Sequence, residues 1–368
     1  MKRWWLSLLL IAAMLAGCSQ SSGDSGGGSQ PPQGVEQQTD DSGNAGQPEG
    51  ESSANSKEPS DDGSPADDGE QHGDDKQSPS NDEVPIVYMT TDISSDGLLA
   101  IYEALGASPD GKIAVKLSTG EPPSSNYLRT DLIGGLVQSL DAAIVECNTA
   151  YGGSRSNAAM HYQVAEDHGY TAIADVDIMD ENGSMTLTVE GGSNLTENYV
   201  GANFSNYDYF VILSHFKGHV MAGFGGAIKN ISIGIASAEG KNNIHTAGRG
   251  GSMWSAPQDP FLESMAEAGK SVVDALDGNI LYITVMNRLS VDCDCDGTPS
   301  EPDMHDIGIL ASFDPVALDQ ACVDLVYGAE DGQSLINRIE SRNGLHTLEH
   351  AEEIGLGRRT YELKNISS

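Results

Sequence analysis

Between Ser214 and Asn230 the chain carries two histidines, His215 and His219, and two lysines, Lys217 and Lys229, framed by Gly218, Gly223, Gly225 and Gly226. Imidazoles titrate near neutrality, so they move protons or ligate borderline metals. Lysines attract anions, and glycines 223, 225 and 226 let a backbone approach a ligand closely. A helix start is expected at Ala227. The helix N-terminus beside these glycines therefore reads as an anion site, with Lys229 adding charge. It is not a Walker loop, since the Lys-Ser/Thr pair is absent. A second group, Cys293-Asp294-Cys295-Asp296, offers thiolates and carboxylates that His245 or His305 can complete into a zinc- or iron-like shell. The same two cysteines read also as a disulfide or as free thiols. Glu121, Arg129 and Arg155 lie in two further polar loops, where they can hold a polar ligand or pair as ions.

Strands must bring these loops together. Short β-rich runs at Ile86–Met89, Lys112–Leu117, Ala142–Glu146, Tyr209–Leu213, Asn279–Val285 and Ile307–Leu310 alternate with helical patterns. Helices are expected over Asp96–Leu105, Tyr127–Leu140, Asn157–His168, Pro260–Leu276, Pro315–Tyr327, Leu335–Ser341 and Leu345–Ile354, with an inserted strand at Met185–Glu190. The alternation predicts an α/β fold: a mostly parallel sheet with helices on both faces, arranged as one domain or two subdomains. In such sheets ligands sit beyond the carboxyl ends of the strands. Three polar, glycine-rich loops follow the strands ending at 117, 146 and 213, and that convergence marks the site.

Other chemistry-bearing residues read as structural. Asp314 is placed to cap the helix that Pro315 opens, and Asp319 is expected on its exposed or loop side. His161 and His168 read as surface or core residues. His346 and His350, among Glu349, Glu352 and Glu353, read as a solvated face. Cys147 and Cys322 read as buried small residues, a bridge between them being the alternative.

Charge and composition divide the chain. The 368 residues carry a formal net charge of −36. Residues 84–368 hold 39 acids against 15 bases, which argues against nucleic acid as a partner. Residues 19–83 hold 16 acids and two lysines among Ser, Gly and Pro, the composition of a disordered tether. Lys2 and Arg3 precede an apolar run over residues 4–16, too short to span a bilayer comfortably. The expected organisation is an export signal over 1–17, a linker over 18–83 and a folded domain over 84–368.

The run Leu15-Ala16-Gly17-Cys18 resembles the lipobox of bacterial lipoproteins, which implies lipidation of Cys18 and an envelope protein anchored on the extracytoplasmic face of a bacterial membrane. Four longer stretches resemble the bacterial domain of unknown function 362 family. They are Ala114-Val115-Lys116 with Gly120-Glu121; Asn148 to Gly153 with Arg155-Ser156-Asn157; Ser214 to His219 with Gly223 to Ala227 and Lys229-Asn230; and Asp292 to Cys295 with Asp306 to Ser312 and Asp314 to Ala317. That family is sometimes associated with iron–sulfur clusters. A ferredoxin-type cluster is not expected here, because no Cys-x-x-Cys-x-x-Cys run is present.

More distantly, the run His219–Lys229 with His245 is similar to the nickel-pincer lactate racemases. That resemblance implies Lys229 as the tether of a cofactor, His245 as a metal ligand and His219 as a proton-transfer group. Ser154-Arg155 stands where those racemases carry a second catalytic histidine followed by arginine. Two functional expectations follow. One is binding of a divalent metal (nickel, zinc or iron), a small anion or both around His219, Lys229 and His245, with proton transfer on a small acid. The other is a non-catalytic metal- or ligand-binding module built on the Cys293/Cys295 loop.

Overall fold

The computed structural model describes residues 83–367. The expected export signal, Cys18 and nearly all of the tether lie outside the described residues.

The chain runs through β1 (Ile86–Thr90), α1 (Ser95–Leu105), β2 (Ile113–Lys116), α2 (Thr130–Ser139), β3 (Ala143–Glu146), α3 (Ala158–Asp167) and β4 (Val176–Ile178). An insertion follows, with β5 (Ser184–Thr188) and β6 (Glu197–Gly201) paired antiparallel. Next come β7 (Tyr209–His215), β8 (Lys217–His219), β9 (Gly223–Gly225), α4 (Ala227–Ile231), α5 (Ala238–His245) and α6 (Gln258–Leu276). The chain finishes with β10 (Ile280–Met286), β11 (Gly308–Ser312), α7 (Pro315–Gly328), α8 (Gln333–Ser341), α9 (His346–Glu353) and β12 (Glu362–Asn365).

Eight strands form one sheet in the order β12-β1-β11-β10-β7-β2-β3-β4. The five from β10 to β4 are parallel. β11 runs antiparallel between β10 and β1. Every residue of β7 and of β10 is buried, as strands covered on both faces require. Alternation along them divides the core. Val115, Val211 and Leu213 pack with Leu98, Ile101, Ile133 and Leu136 of α1 and α2. Phe210, Ile212 and Tyr282 share the other core with residues of α4, α6 and α7. Asp314 caps α7 through the amides of Val316 and Ala317. No helix among the described residues is long and apolar enough to cross a membrane.

Several expectations need correction. The helix expected from Tyr127 begins at Thr130, because the preceding residue Arg129 is extended. The Tyr127 ring instead stacks on His168, centroids 4.0 Å apart, and Arg129 lies over that same ring. His346 and His350 do not form a solvated face: they reach Glu263 at 3.0 Å and Glu267 at 3.3 Å on α6, and His350 is buried. Asp319 is buried and turned inward. Cys147 and Cys322 are buried free thiols.

Candidate functional site

Strands β2, β3 and β7 end on Lys116, Glu146 and His215, and the loops beyond them close a cavity of about 120 Å³. Five cationic side chains line it: Lys116, Arg155, Lys217, Lys229 and Lys241. They face two carboxylates, Glu146 and Asp294. In a domain of 39 acids and 15 bases this local reversal of charge sets the cavity apart. A larger cavity of about 670 Å³ beside Tyr282 has Arg358 as the one cation in its lining, against three carboxylates.

Most of the cations are held by the protein itself. Glu146 accepts from Thr119 N at 2.8 Å and Thr119 Oγ1 at 2.6 Å, and meets Arg155 Nη1 and His161 Nε2 at 3.1 Å each. Arg155 Nε pairs with Glu121 at 3.1 Å, and the Ser154 amide also donates to that carboxylate. Asp294 accepts from Lys217 and from His215 Nδ1 at 3.0 Å, while His215 Nε2 meets the Asn287 carbonyl at 2.6 Å. Lys116 donates to the Leu117 carbonyl and to Asn230 Oδ1, and Lys241 donates to the Ala236 carbonyl. Asn230 Nδ2 in turn ties α4 to the ends of β2 and β7. Among the described residues, the Lys229 ammonium has no hydrogen-bond or ion-pair partner.

The two histidines expected to do chemistry line the same cavity. Nδ1 of His219 accepts the amides of Met221 at 3.2 Å and Ala222 at 2.9 Å, so the neutral ring carries its proton on Nε2. Nδ1 of His245 donates to the Lys241 carbonyl at 2.6 Å, which leaves a lone pair on Nε2. Burial and the neighbouring Lys229 hold His219 well below its ordinary value and His245 down at about 4, so both rings are neutral near pH 7.

The family model "Domain of unknown function (DUF362)" matches residues 113–324, a span that contains every residue lining this cavity. The chain belongs to the DUF362 family. No curated protein matches it. Among solved structures it is similar to the lactate racemase apoprotein from Thermoanaerobacterium thermosaccharolyticum, at 14% identity and a TM-score of 0.39 over 65% of this chain and 56% of that one. It is also similar to a structural-genomics protein from Thermotoga maritima, at 14% identity and a TM-score of 0.37 over 62% of this chain and 57% of that one. The DUF362 chain thus aligns with less than two thirds of either neighbour.

Of the residues expected at the site, the DUF362 cavity brings together Arg155, His219, Gly225, Gly226, Lys229, His245, Cys293 and Cys295. Glu121 lies behind Arg155, outside the lining. Gly223, with φ of 82°, makes a turn packed against Ile339 and Gly344. The anion expected at the N-terminus of α4 is the protein's own. Asp319 accepts the amides of Ala227 at 2.7 Å and Ile228 at 2.9 Å, and a side chain on Gly226 would collide with its carboxylate. Burial pushes Asp319 up to about 7 against the pull of those two amides.

The positive character therefore comes from side chains, chiefly Lys116, Lys229 and Lys241, since Lys217 is paired with Asp294. Burial and the adjacent Lys217, Lys116 and Lys241 lower Lys229 to about 7, and burial lowers Lys116 to about 8. An arriving anion restores the missing protons.

The metal expectation divides in two. His219, Cys293 and Cys295 offer ligand atoms within 4.8 Å of one another, with His219 taking the place foreseen for His245 or His305. His305 instead pairs with Asp331 on the surface. The two sulfurs, however, are joined in a disulfide, so thiolate ligation requires its reduction. A nickel-pincer nucleotide fits the donors in part: Lys229 is unpaired and His245 presents Nε2. The space is tight for a nucleotide: about 120 Å³ here, with about 240 Å³ in the adjoining cavity, lies at the bottom of the roughly 300–1,000 Å³ range of small-molecule pockets. Arg155 is clamped between Glu121 and Glu146.

Proposed function

We propose that this chain binds a small organic anion in the cation-lined cavity and transfers a proton on it. Its place is the extracytoplasmic face of a bacterial membrane, with a lipid on Cys18 as the anchor. The observation that carries the reading is the convergence of five cationic side chains on one cavity in an acidic domain, with Lys229 unpaired. Lys217 is neutralised by Asp294 and Arg155 by its two carboxylates, so the attraction falls to Lys229, Lys116 and Lys241. An anion seated there lies beside two neutral imidazoles of opposite polarity. His219 donates through Nε2–H, and His245 accepts through Nε2. The charge of the anion raises the proton affinity of His245, strengthening it as a base once the ligand is in place.

The test uses the full-length chain in detergent with 2-hydroxy acids in heavy water, following deuterium at the carbon beside the carboxylate by proton NMR. Incorporation that falls at least a hundredfold in His219→Gln, with binding kept, is the expected outcome. No incorporation from any acid, together with binding indifferent to Lys229→Ala, removes the reading.

A second reading, a metal-handling module on the Cys293/Cys295 loop, is favoured by the clustering of His219 with the two sulfurs. It applies to the reduced form alone. There His219 must also give up its Nε2 proton or its two backbone amides before it can ligate.

A further inference from the structure

The cavity continues outward into a second chamber of about 240 Å³. Tyr151, His219, His245, Met253, Cys293 and Cys295 line both chambers, so the histidine pair stands at their boundary. The two sides differ in chemistry. All five cations line the inner chamber, and no lysine or arginine lines the outer one. The outer chamber adds Val220, Met221 and Trp254, with Asp292 and Asp296 on its rim. Val220 is 47% exposed and Trp254 65%, and they are two of six large hydrophobic side chains left exposed among the described residues. Trp254 packs on Tyr151 with ring centroids 6.4 Å apart, so an aromatic wall leads from the mouth to the histidines. Two exposed apolar side chains flanking one polar cavity are the pattern left when a ligand supplies the missing cover.

We infer that the ligand carries a single anionic head group and an apolar substituent of aryl or branched-alkyl size, seated with its head in the inner chamber and its substituent against Trp254 and Val220. The inference rests on the anion-binding reading and adds the substrate class to it. The atom joining head to substituent then lies between His219 and His245, where a proton can be given from one side and taken from the other. A ligand with a second carboxylate at its far end meets Asp296, Asp292 being paired with Arg338, so dicarboxylates are disfavoured.

The experiment is calorimetric titration of the full-length chain in detergent with two matched pairs: lactate against 3-phenyllactate, and inorganic phosphate against phenyl phosphate. The head group, carboxylate or phosphate, is set by which pair binds. In that pair the aryl member is expected to bind at least tenfold tighter, and the ratio falls to about one in the Trp254→Ser, Val220→Ser double variant. Both positions are exposed, so the variant keeps its core. Equal affinities within the binding pair, or a ratio that survives the double variant, overturn the inference. If none of the four anions binds and Lys229→Ala changes nothing, the anion reading has failed and carries this one down with it.

Discussion

His219 and His245 line one cavity in opposite tautomers, the first accepting two backbone amides through Nδ1 and the second donating from Nδ1 to the Lys241 carbonyl. The backbone thereby presets a proton donor and a proton acceptor without charging either ring. Exchanging the donor for an amide that retains one N–H is the mildest disruption of the pair. His219→Asn is expected to lower proton exchange on a bound acid at least tenfold. His245→Phe, which retains the stacking on Phe261, should abolish it while leaving anion affinity within a few-fold. NMR exchange and calorimetry on the same variants separate the two effects.

Glu146 is the structural keystone of the inner wall. Burial alone would raise its pKa; Arg155 and His161 outweigh that and hold it well below the usual carboxylate range. Glu146→Gln leaves Arg155 buried with Glu121 as its remaining counter-charge, a loss expected to cost about 3–5 kcal/mol in urea unfolding. A depressed carboxylate stabilises the fold above its unfolded value near 4.5, and that stability is lost as pH falls. The acid limb of the stability profile should therefore flatten in the variant.

The α6–α9 contact responds in the opposite sense. The hydrogen bond that His350 donates to Glu267 raises it, and Glu263 raises His346 against its burial. Raised histidines add stability that is complete below their unfolded value of 6.5 and is lost as pH rises through the folded value. Denaturant midpoints should thus fall between pH 6 and pH 8 in the wild type. That part of the fall should vanish in His346→Gln with His350→Gln.

Much of this fold was legible because β7 opens on five apolar residues, β10 is apolar but for Thr284, and Asp314-Pro315 announces a capped helix. The strand-end loops were legible for the same reason, and with them His219, Lys229 and the Cys293/Cys295 pair. What stayed hidden depends on tertiary contact. In Ile113-Ala-Val-Lys116 the lysine reads as the end of a strand, and its burial follows only from Asn230 arriving from α4. The helix that carries Lys241 and His245 has Gly240, Asn242 and Asn243 with Ile244 as its one large apolar residue, so no periodicity announces it. Asp319 sits on a helix where spacing gives no hint that two amides, 92 and 91 residues earlier in the chain, await its carboxylate.

The cysteine loop gives a redox-conditioned prediction. With the Cys293–Cys295 bond formed, zinc binding should be absent. After reduction by a dithiol, which takes the bond's place as a disulfide and leaves two thiols, one equivalent of zinc should bind. Cys293→Ser with Cys295→Ser should bind none in either state. Elemental analysis of matched samples reads the outcome. One equivalent retained by the oxidised protein would move the metal to His245 or elsewhere.

The most direct test of the central claim is calorimetric titration of the full-length chain with the tighter of the two aryl anions, at pH 6.5 and pH 8.5, in the wild type and in Lys229→Ala. Lys229, lowered to about 7, regains its proton across that interval, and Lys116 near 8 moves in the same direction. Affinity should therefore rise on the order of tenfold from the higher pH to the lower. In Lys229→Ala the gain should shrink and binding weaken at least tenfold at pH 6.5, with a melting temperature equal to or above that of the wild type because a desolvated amine has been removed. Affinity that is insensitive to pH and identical in the two proteins would contradict the assignment of this cavity as an anion site.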